Sequence, residues 1–471
     1  MRSLVWFRRD LRASDNKALF QASLDSRDGI IGLFIITPGQ WKKHDDAVCK
    51  VKFWLDNLGM LSCELAKLRI PLLIEICDSF DDVPARIVSV AEQNGCSSLY
   101  LNREYEFNET RRDHDVWVKC EQAGMAVRRF HDRVIVPPPE IQTKQGNFYS
   151  VFTPYQRVWN TKALEFTKVL AKPARQPHQQ VRPMEVPGKI PGYDFEHLAN
   201  CHWKPGEAEA QKQLREFSKK ICHYNDTRDV PSTDGTSKLS PYLTTGVLSP
   251  RQCLAAVVDS QVGLVSANEG IKRWVSEFAW RDFYSHVLVG YPRVSKHQPF
   301  KLKTNHLNWR SDKTDFTAWC KGQTGYPLVD AGMRQLNQTG WMHNRLRMVT
   351  AMFLTKNLLI DWRWGEQYFM QNLIDGDLAA NNGGWQWSAS TGTDAVPYFR
   401  IFNPFSQSKR FDPEGVFIKR MCPELDAVPP RSLHDPEKLS SCVTRLNLDY
   451  PDYIVDYKAG RKRALNAFKS L

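Results

Sequence analysis

The first 135 residues alternate short apolar runs with longer amphipathic segments, and this alternation restricts the possible folds more than any other feature of the chain. The strand-like runs are SLVWF, IIGLFII, PLLIEI, SSLYLN and VRRFHDRVIV, and helical periodicity occupies about 49–67, 83–93 and 108–122 between them. Strands that alternate with helices in this way form βαβ units on a parallel sheet. Residues 1–135 are therefore predicted to form an α/β domain of the Rossmann-like type.

Two further regions follow the α/β pattern. Six prolines between Pro173 and Pro205, together with an excess of Lys and Arg, interrupt regular periodicity, so residues 136–204 are predicted to be a basic connector that runs over the surface. From about Glu207 onward, apolar residues recur at helical spacing with few strand-like runs. Residues 205–471 are therefore predicted to form an all-α domain.

The chain carries a formal net charge of +12 at pH 7 and has a pI near 9.1. A basic surface attracts polyanions and favours a nucleic-acid partner, although many basic proteins bind no nucleic acid. The N-terminus does not resemble a secretion signal and no apolar run could span a bilayer, so we expect a cytoplasmic protein that does not enter a membrane. The eleven cysteines lack zinc-ligand spacing, and we expect reduced thiols and no metal site.

A nucleotide phosphate is not expected at the first strand, which is followed by RRDLRASDN instead of a glycine-rich turn. A better phosphate site is DGTSKLSPYLTTGVLSP, residues 234–250, where the hydroxyls of Thr236, Ser237 and Ser240 lie next to Lys238. Such a turn at the start of a helix can bind an anion. The alternative is an ordinary helix N-cap.

The segment IKRWVSEFAWRDFY, residues 271–284, is predicted to be a helix on which Trp274, Glu277 and Arg281 share one stripe. An indole beside a carboxylate suits a flat heterocycle, and the arginine could bind a phosphate. The alternative is a solvated ion pair between Glu277 and Arg281. That alternative does not explain the tryptophan.

Two later segments combine a buried helical face with polar groups. GWMHNRLRMVTAMF, residues 340–353, is predicted to bury Met342, Leu346, Val349 and Phe353 and to present a second face that carries Asn344, Arg347 and Met348. Downstream lie Trp362, Asp375, Asp377 and Asn381. The two acids and the amide could ligate a metal, or they could hydrogen-bond the edge and the hydroxyls of a bound ring.

The stretch LAANNGGWQWSASTGTDAVPYFRIFNP, residues 378–404, fits neither helical nor strand periodicity. It contains an Asn-Asn pair, a Gly-Gly pair that is typical of a turn, and the indoles of Trp385 and Trp387. We therefore expect an irregular segment whose aromatic residues serve a function.

Several long segments closely resemble the DNA photolyase and cryptochrome family. They are LVWFRRDLRASDN, TGYPLVDAGMRQLNQTGWMHNRLRMVTAMFL, DWRWGEQYF and LIDGDLAANNGGWQWSASTGTDAVPYFRIFNP, so the resemblance runs nearly end to end. Within the family, the chain is most similar to bacterial class I photolyases that act on cyclobutane pyrimidine dimers. The resemblance implies an α/β antenna domain and a helical domain that holds non-covalent FAD, active in its reduced form.

The resemblance also implies which residues contact FAD. Arg347 is the implied partner of Asp375, and Asn381 occupies the position that faces flavin N5, where asparagine is the photolyase-like residue. The complete implied set is Tyr224, Thr236, Ser237, Lys238, Leu239, Ser240, Trp274, Arg347, Asp375, Gly376, Asp377 and Asn381.

The implied reaction passes one electron from light-excited reduced FAD to a dimer that is flipped out of DNA. The implied catalytic residues are Glu277, Asn344, Met348 and Asn381. His343 is followed by Asn344 rather than by a second histidine, which favours cyclobutane dimers over (6-4) photoproducts. The implied DNA and dimer contacts are Arg228, Glu277, Trp280, Arg281, Asn344, Arg345 and Trp387.

Three tryptophans, Trp309, Trp362 and Trp385, match the family's electron-transfer chain between the flavin and the surface. Indoles suit such a chain because they can be oxidised transiently while packing holds them in a fixed geometry. The alternative is that all three are core residues.

A second chromophore is implied by the similarity of His44, Asn108, Glu109 and Lys296 to the folate contacts of bacterial relatives. The expected antenna is 5,10-methenyltetrahydrofolate, and a deazaflavin is the alternative. Asn108 and Glu109 could instead belong to an exposed, well-capped helix start.

The expected partner is UV-damaged DNA, double or single stranded, bound by a monomer that needs no other protein. A blue-light receptor of the cryptochrome type is one alternative, against which Asn381 and the short ending after Phe468 argue. A flavin-free DNA-binding protein is another, which an absorption spectrum would distinguish.

Overall fold

The computed structural model describes residues 2–196, 198, 203–257 and 268–471. Its N-terminal part contains the strands β1 (Arg2–Phe7), β2 (Ile30–Ile36), β3 (Leu72–Ile76), β4 (Cys96–Asn102) and β5 (Ala126–Phe130). They form one parallel sheet with the order β3-β2-β1-β4-β5. The predicted α/β domain is confirmed.

Helices cover both faces of this sheet, as parallel strands require. They are α1 (Lys17–Asp25), α2 (Pro38–Lys43), α3 (Val48–Lys67), α4 (Val83–Gln93) and α5 (Phe107–Gln122). Alternate residues of β1 face opposite sides: Val5 and Phe7 pack in one hydrophobic cluster, and Leu4 and Trp6 pack in another.

The predicted fifth strand is too long, because β5 ends at Phe130. The backbone N–H groups of Ile135 and Val136 donate to the carboxylate of Asp282, at 2.9 and 3.1 Å, instead of to a neighbouring strand. A buried side chain therefore replaces the sheet hydrogen bonds over HDRVIV.

The predicted connector is only partly a surface segment. Its first part contains helix α6 (Phe152–Lys162), which packs against the helical part of the chain. Trp159 of α6 is fully buried and donates from Nε1 to Asp282 at 2.9 Å. The expectation of a surface path is therefore wrong for this part, because one face of α6 is apolar and has a partner to pack against.

The rest of the chain is helical, as predicted. After Phe130, the described residues form only two isolated bridges, Ile190–Tyr193 and Arg310–Ile360, and no longer strand. In the described part of the chain, no helix has the length and apolarity needed to cross a membrane. The helices are α7 (Glu207–Ser218), α8 (Tyr224–Thr227), α9 (Ser240–Thr245), α10 (Pro250–Ala255), α11 (Glu269–Gly290), α12 (Lys313–Lys321), α13 (Pro327–Thr339), α14 (Asn344–Met352), α15 (Trp362–Asn372), α16 (Leu378–Ala389), α17 (Pro404–Phe411), α18 (Val416–Met421), α19 (Pro430–Leu433), α20 (Pro436–Leu446) and α21 (Tyr457–Lys469).

The expectation of an irregular segment at residue 378 is wrong, because residues 378–389 form helix α16. Its N-cap is Asp377, whose side chain accepts from the N–H of Ala380. Gly383 lies inside the helix, where a Cβ would come within 2.3 Å of Tyr284, so this glycine permits close packing rather than a turn. Buried residues lie on several sides of α16, and this hides the helical period in the sequence.

The α/β part and the helical part meet at a buried charged seam, formed by Arg12, Asp15, Asp132 and Arg251. Arg251 of α10 lies 2.6 Å from Asp132 and 2.9 Å from Asp15, and Arg12 also pairs with Asp132. Burial opposes ionisation of Asp132, but the charges of Arg12 and Arg251 outweigh burial and hold its pKa at about 2. These directional pairs set the register between the two parts.

Candidate functional site

Helix α16 packs against α11 and α14, and the predicted flavin residues lie around these helices. Asp375, just before α16, accepts two hydrogen bonds from Arg347 Nη2 of α14, at 2.8 and 3.0 Å. Arg347 also donates from Nε to the carbonyl of Met342 at 2.8 Å, which fixes its guanidinium. The predicted pairing of Arg347 with Asp375 is confirmed.

The candidate phosphate loop lies beside this pair, because Thr244 of α9 donates to the carbonyl of Asp375 at 3.4 Å. The alternative of an ordinary N-cap is wrong at the start of α9, where Leu239 makes no side-chain cap bond, but it is correct at Ser249, which forms a capping box at the start of α10. Lys238 has a positive φ of 51° and pairs with Asp234 at 2.8 Å. The hydroxyls of Thr236 and Ser237 make no hydrogen bond within the described part of the chain, so they are available to a ligand.

Asn381 belongs to a hydrogen-bonded group that extends away from the flavin residues. Its amide nitrogen donates to the backbone carbonyl of Glu366 at 2.9 Å, while Asn382 donates to Glu366 Oε1 at 2.8 Å. The other carboxylate oxygen of Glu366 lies 2.9 Å from His297 Nδ1. Glu366 and His297 were not predicted, because they are distant in sequence and belong to no local motif.

A further residue of the site is Gly384, which sequence reasoning missed. It lies three residues after Asn381 on α16, so both residues share one face of the helix. A Cβ at Gly384 would meet no atom within 4 Å, which shows open space beside this face.

These residues fit an FAD molecule. The edge of the flavin ring would contact the Arg347–Asp375 pair and Asn381. The hydroxyls of the candidate phosphate loop could hydrogen-bond the polar chain of the cofactor. His343 Nε2 is buried and has no hydrogen-bond partner among the residues that the structure describes. The two acids have different partners, because Asp375 pairs with Arg347 whereas Asp377 pairs with Arg133, and this arrangement favours the bound ring over a shared metal ion.

Two other predicted flavin contacts, Tyr224 and Trp274, are brought together by Phe217. The Phe217 ring lies 5.7 Å from Tyr224 and 5.2 Å from Trp274, measured between centroids. Both predicted residues are buried. Asp377 and Gly376 instead face the α/β part, where Asp377 pairs with Arg133 at 2.8 Å and the Gly376 carbonyl accepts from Lys50.

The predicted dimer residues lie near a group of opposite charges. Glu277 of α11 is half-buried and is paired with Arg228, while Arg345 of α14 is paired with Asp229 at 2.7 Å. The alternative of a Glu277–Arg281 ion pair is wrong, because Glu277 pairs with Arg228 and, at 4.0 Å, with Arg273 instead. Arg281 turns inward and donates to the carbonyl of Arg133.

The remaining dimer residues are polar or aromatic side chains with some exposure. Asn344 is exposed at the start of α14, and Met348 lies one turn later. Trp280 is half-buried and stacks on Phe152 with ring centroids 3.6 Å apart, and Trp387 is half-buried on α16. His343 is the N-cap of α14, and burial lowers its pKa to about 4, so its imidazole is neutral at pH 7.

The three predicted chain tryptophans belong to one hydrophobic cluster of the helical part, in which Trp362 and Trp385 are buried and Trp309 packs against the edge. Trp385 of α16 packs so closely on Gly365 of α15 that a Cβ there would lie 2.1 Å from the indole. Trp362 lies one turn before Gly365, and the Arg310–Ile360 bridge holds the segment of Trp309 beside the start of α15. Trp385 and Trp362 are buried, whereas Trp309 is partly exposed. Sequence reasoning missed Trp319, whose ring centroid lies 5.9 Å from that of Trp385.

All four predicted antenna residues line one cavity of about 240 Å³ between the α/β part and the helical part. His44 Nε2 lies 2.9 Å from Asn108 Nδ2, and His44 Nδ1 lies 3.5 Å from Glu109. Lys296 enters from the helical part, over the ring of Phe107. Glu109 is buried and α5 has no side-chain cap, so the alternative of an exposed, well-capped helix start is wrong for Glu109. The cavity residues that sequence reasoning missed include Trp41, Trp54, Phe80, Arg112 and His297.

A chain of ion pairs joins this cavity to the flavin residues. Arg9 lies 3.9 Å from Glu109 and 2.8 Å from Glu106. Arg133 then lies 3.0 Å from Glu106 and 2.8 Å from Asp377. Burial, followed by the charge of Glu106, raises the pKa of the Glu109 carboxyl.

Comparisons with known proteins agree with this geometry. Residues 3–178 match the family described as DNA photolyase, and residues 274–470 match the FAD binding domain of DNA photolyase. The chain is 42% identical to the deoxyribodipyrimidine photo-lyase of Vibrio cholerae, over 99% of both chains. It is 43% identical to the protein of that name in Escherichia coli, over 99% of this chain and 98% of that one.

Solved structures show the same fold. A class III photolyase of Agrobacterium tumefaciens has a TM-score of 0.87 and 33% identity, over 100% of this chain and 97% of that one. A cryptochrome of Synechocystis has a TM-score of 0.89 and 27% identity, over 99% of both chains. The chain belongs to the DNA photolyase family and contains its FAD-binding domain.

Proposed function

We propose that this protein is a light-dependent DNA repair enzyme, a deoxyribodipyrimidine photo-lyase that splits cyclobutane pyrimidine dimers in UV-damaged DNA. Relatives of that name match nearly the whole chain. The observation that carries the proposal is the arrangement around α16, where the Arg347–Asp375 pair and Asn381 lie on helices that pack together with the helix of Glu277. When bound, reduced FAD supplies the light absorption and the electron.

The residues of this chain bind and orient the cofactor. The Arg347–Asp375 pair presents a fixed charge arrangement to the ring, and the loop of Thr236, Ser237 and Ser240 supplies hydroxyls. The amide nitrogen of Asn381 is occupied by the Glu366 carbonyl, so its oxygen is the group left for the flavin. We assign the other cofactor contacts as the resemblance implies: Tyr224, Lys238, Leu239, Trp274, Gly376 and Asp377.

Glu277 is proposed to hydrogen-bond the dimer and to stabilise the negative charge that develops on it. Its ion pair with Arg228 holds the carboxylate in place. Asn344 and Met348 would line the dimer pocket, with Trp280 and Trp387 as aromatic walls. Because Trp280 is already stacked on Phe152, its orientation is fixed before substrate arrives.

The proposed phosphate contacts are Arg228, Arg281 and Arg345. Two of them are engaged in ion pairs and the third faces inward, so DNA must compete with Asp229 for Arg345. The proposed function of Trp309, Trp362 and Trp385 is to pass electrons inward when the flavin is oxidised. Their continuous packing supports that role.

The 240 Å³ cavity is proposed as the antenna site, with 5,10-methenyltetrahydrofolate as its ligand. Its aromatic residues suit a flat ring, and Lys296 and His44 can bind anionic groups. A deazaflavin is the alternative ligand. A novel light-harvesting cofactor is implied for a photolyase of Sulfolobus tokodaii, 30% identical to this chain, whose structure contains two FAD molecules. We further propose that the protein acts as a monomer in the cytoplasm.

The test is light-dependent repair of an oligonucleotide with one defined thymine dimer, using protein that holds reduced FAD. We expect dimer loss under blue light and none in the dark. Glu277→Ala should lower the repair yield per photon more than it lowers dimer affinity, because its hydrogen bond strengthens in the reacting state. A protein that binds reduced FAD and the dimer but repairs nothing in light would overturn the proposal and favour a cryptochrome-type receptor.

A further inference from the structure

The surface around Trp309 combines an apolar centre with a basic rim. Trp309 packs edge-on to Phe468 of α21 with ring centroids 6.4 Å apart, and Phe468 stacks on Tyr398 at 5.8 Å. Phe399, whose ring contacts Tyr398, is 60% exposed, and Leu302, in the turn that leads to Trp309, is 52% exposed. We call this surface, with its surrounding cations, the Trp309 patch.

The two chain segments that carry Trp309 and Phe468 are basic and contain no acids. Neither 296–310 nor 457–471 contains an Asp or Glu. Lys303 lies in the turn that leads to Trp309, and Lys469 follows Phe468 directly; both are exposed. Within the described part of the chain, neither lysine forms an ion pair. The nearest acids on α12 and its N-cap, Asp312 and Asp315, are already paired with Arg310.

We propose that the Trp309 patch is a docking surface for an acidic electron-carrier protein. This inference rests on the proposed function, in which the electron taken from the tryptophan chain must be replaced from outside. The carrier would give one electron to the oxidised indole of Trp309, which returns to neutral tryptophan, while the carrier's centre is oxidised by one electron. No bond forms or breaks and no proton moves.

An acidic protein fits the patch better than DNA does. Exposed apolar side chains surrounded by cations are typical of a protein interface, whereas DNA interfaces are more polar. The proposed phosphate contacts Arg228 and Arg345 also lie elsewhere, beside Glu277 and Asp229. The limited extent of the patch agrees with the small contact areas of transient electron-transfer complexes.

The probe is a plant-type [2Fe–2S] ferredoxin, an acidic one-electron carrier, with reduced cytochrome c as a basic carrier. A laser flash oxidises the tryptophan chain of protein that holds oxidised FAD, and the decay of the tryptophan radical is followed against carrier concentration. At low salt we expect ferredoxin to react at least about tenfold faster than cytochrome c, with the advantage lost at high salt.

The test variant carries both Lys303→Glu and Lys469→Glu. The matched control carries both Lys119→Glu and Lys144→Glu, at two exposed lysines in the N-terminal third of the chain. We expect the test variant to slow ferredoxin about tenfold and to speed cytochrome c, while a neutral thiol reacts equally with both variants. Equal ferredoxin rates in the two variants would overturn the proposal. So would competition by undamaged duplex DNA that the test substitutions abolish, because the patch would then bind DNA.

Binding of oxidised ferredoxin, measured by calorimetry at low salt, separates this proposal from the proposed function. Binding that the test variant loses and the control keeps supports the docking surface even if the flash produces no tryptophan radical. That result would contradict the proposed electron-transfer chain but not the proposed docking surface. Absence of binding to the wild-type protein would overturn the docking surface alone.

Discussion

The charged seam and the aromatic core around Trp385 are both buried, yet they are held by opposite kinds of interaction. In the seam, Arg251 reaches across to Asp15 and Asp132 at 2.9 and 2.6 Å. In the aromatic core, Trp385 contacts Phe369 and Trp319 at centroid distances of 4.9 and 5.9 Å, and its Nε1 has no hydrogen-bond partner in the described part of the chain. The seam depends on direction and charge balance, whereas the core depends on shape.

The difference indicates what each region contributes. A balanced set of ion pairs fixes the α/β part against the helical part, and through Arg133 it reaches Asp377 beside the flavin residues. The tightly packed aromatic residues around Trp385 hold its indole at fixed distances from its neighbours. The seam therefore positions the two sites, and the core connects one of them to the surface.

The largest expected effect comes from breaking the charge balance. Asp132→Ala should destabilise the protein by about 3 to 5 kcal/mol, because it leaves Arg12 and Arg251 buried without their shared partner. Urea unfolding at pH 7 measures the loss. Since the pKa of Asp132 is depressed, the wild-type stabilisation is present above the ordinary pKa of an aspartate and is lost as the pH falls toward about 2.

The control is Asp81→Ala, which removes an exposed ion pair with Arg111 and should cost about 0 to 1 kcal/mol. Similar losses of unfolding free energy in the two variants would show that the seam stabilises the protein no more than a surface ion pair does.

The core should respond to added volume. Gly365→Ala should cost about 1 to 3 kcal/mol, because the new methyl would overlap the ring of Trp385. It should also change the fluorescence of the tryptophan cluster. An unchanged unfolding free energy would mean that Trp385 moves freely and that the core is not shape-determined.

Gly384→Ala should have a smaller effect, visible mainly in cofactor affinity. The apoprotein should gain up to about 1 kcal/mol from helix propensity, while FAD affinity falls because the methyl occupies the space beside Asn381. Gly59→Ala, at a helical glycine of α3 that also faces open space, should give the same gain in stability without loss of FAD. Equal FAD affinities in the two variants would remove Gly384 from the site.

The smallest expected effect concerns the pair of His297 and Glu366, the residue that follows Gly365 in α15. The hydrogen bond that His297 donates to the Glu366 carboxylate raises the pKa of His297, so the stability that this pair adds is present below pH of about 6.5 and is lost as the pH rises through the raised value. NMR titration of Glu366→Gln should show a lower His297 pKa, while Glu75→Gln, a remote change of the same kind, should not. An unchanged His297 pKa in Glu366→Gln would attribute the shift to Asp45, the other acid near His297.

The comparison also shows what could be predicted from the sequence. Strands and helices of the α/β part followed from periodicity, and the pairing of Arg347 with Asp375 followed from the family resemblance. Helix α16 was missed because it is buried on several sides, and β5 was extended too far because Asp282, 146 residues away from Val136, takes the strand's hydrogen bonds. Glu366, His297 and Gly384 were missed because their roles depend on tertiary contacts that no local pattern records.

The most direct test of the account is flash photoreduction of Trp385→Phe, the residue where the aromatic core meets the flavin site. We predict that this variant keeps FAD and DNA affinity, loses light-driven reduction of oxidised FAD, and repairs dimers once its FAD is reduced chemically. Trp387→Ala should do the reverse, weakening dimer binding and leaving photoreduction intact. Photoreduction of Trp385→Phe at the wild-type rate would contradict the account, and Trp385 would then be a packing residue only.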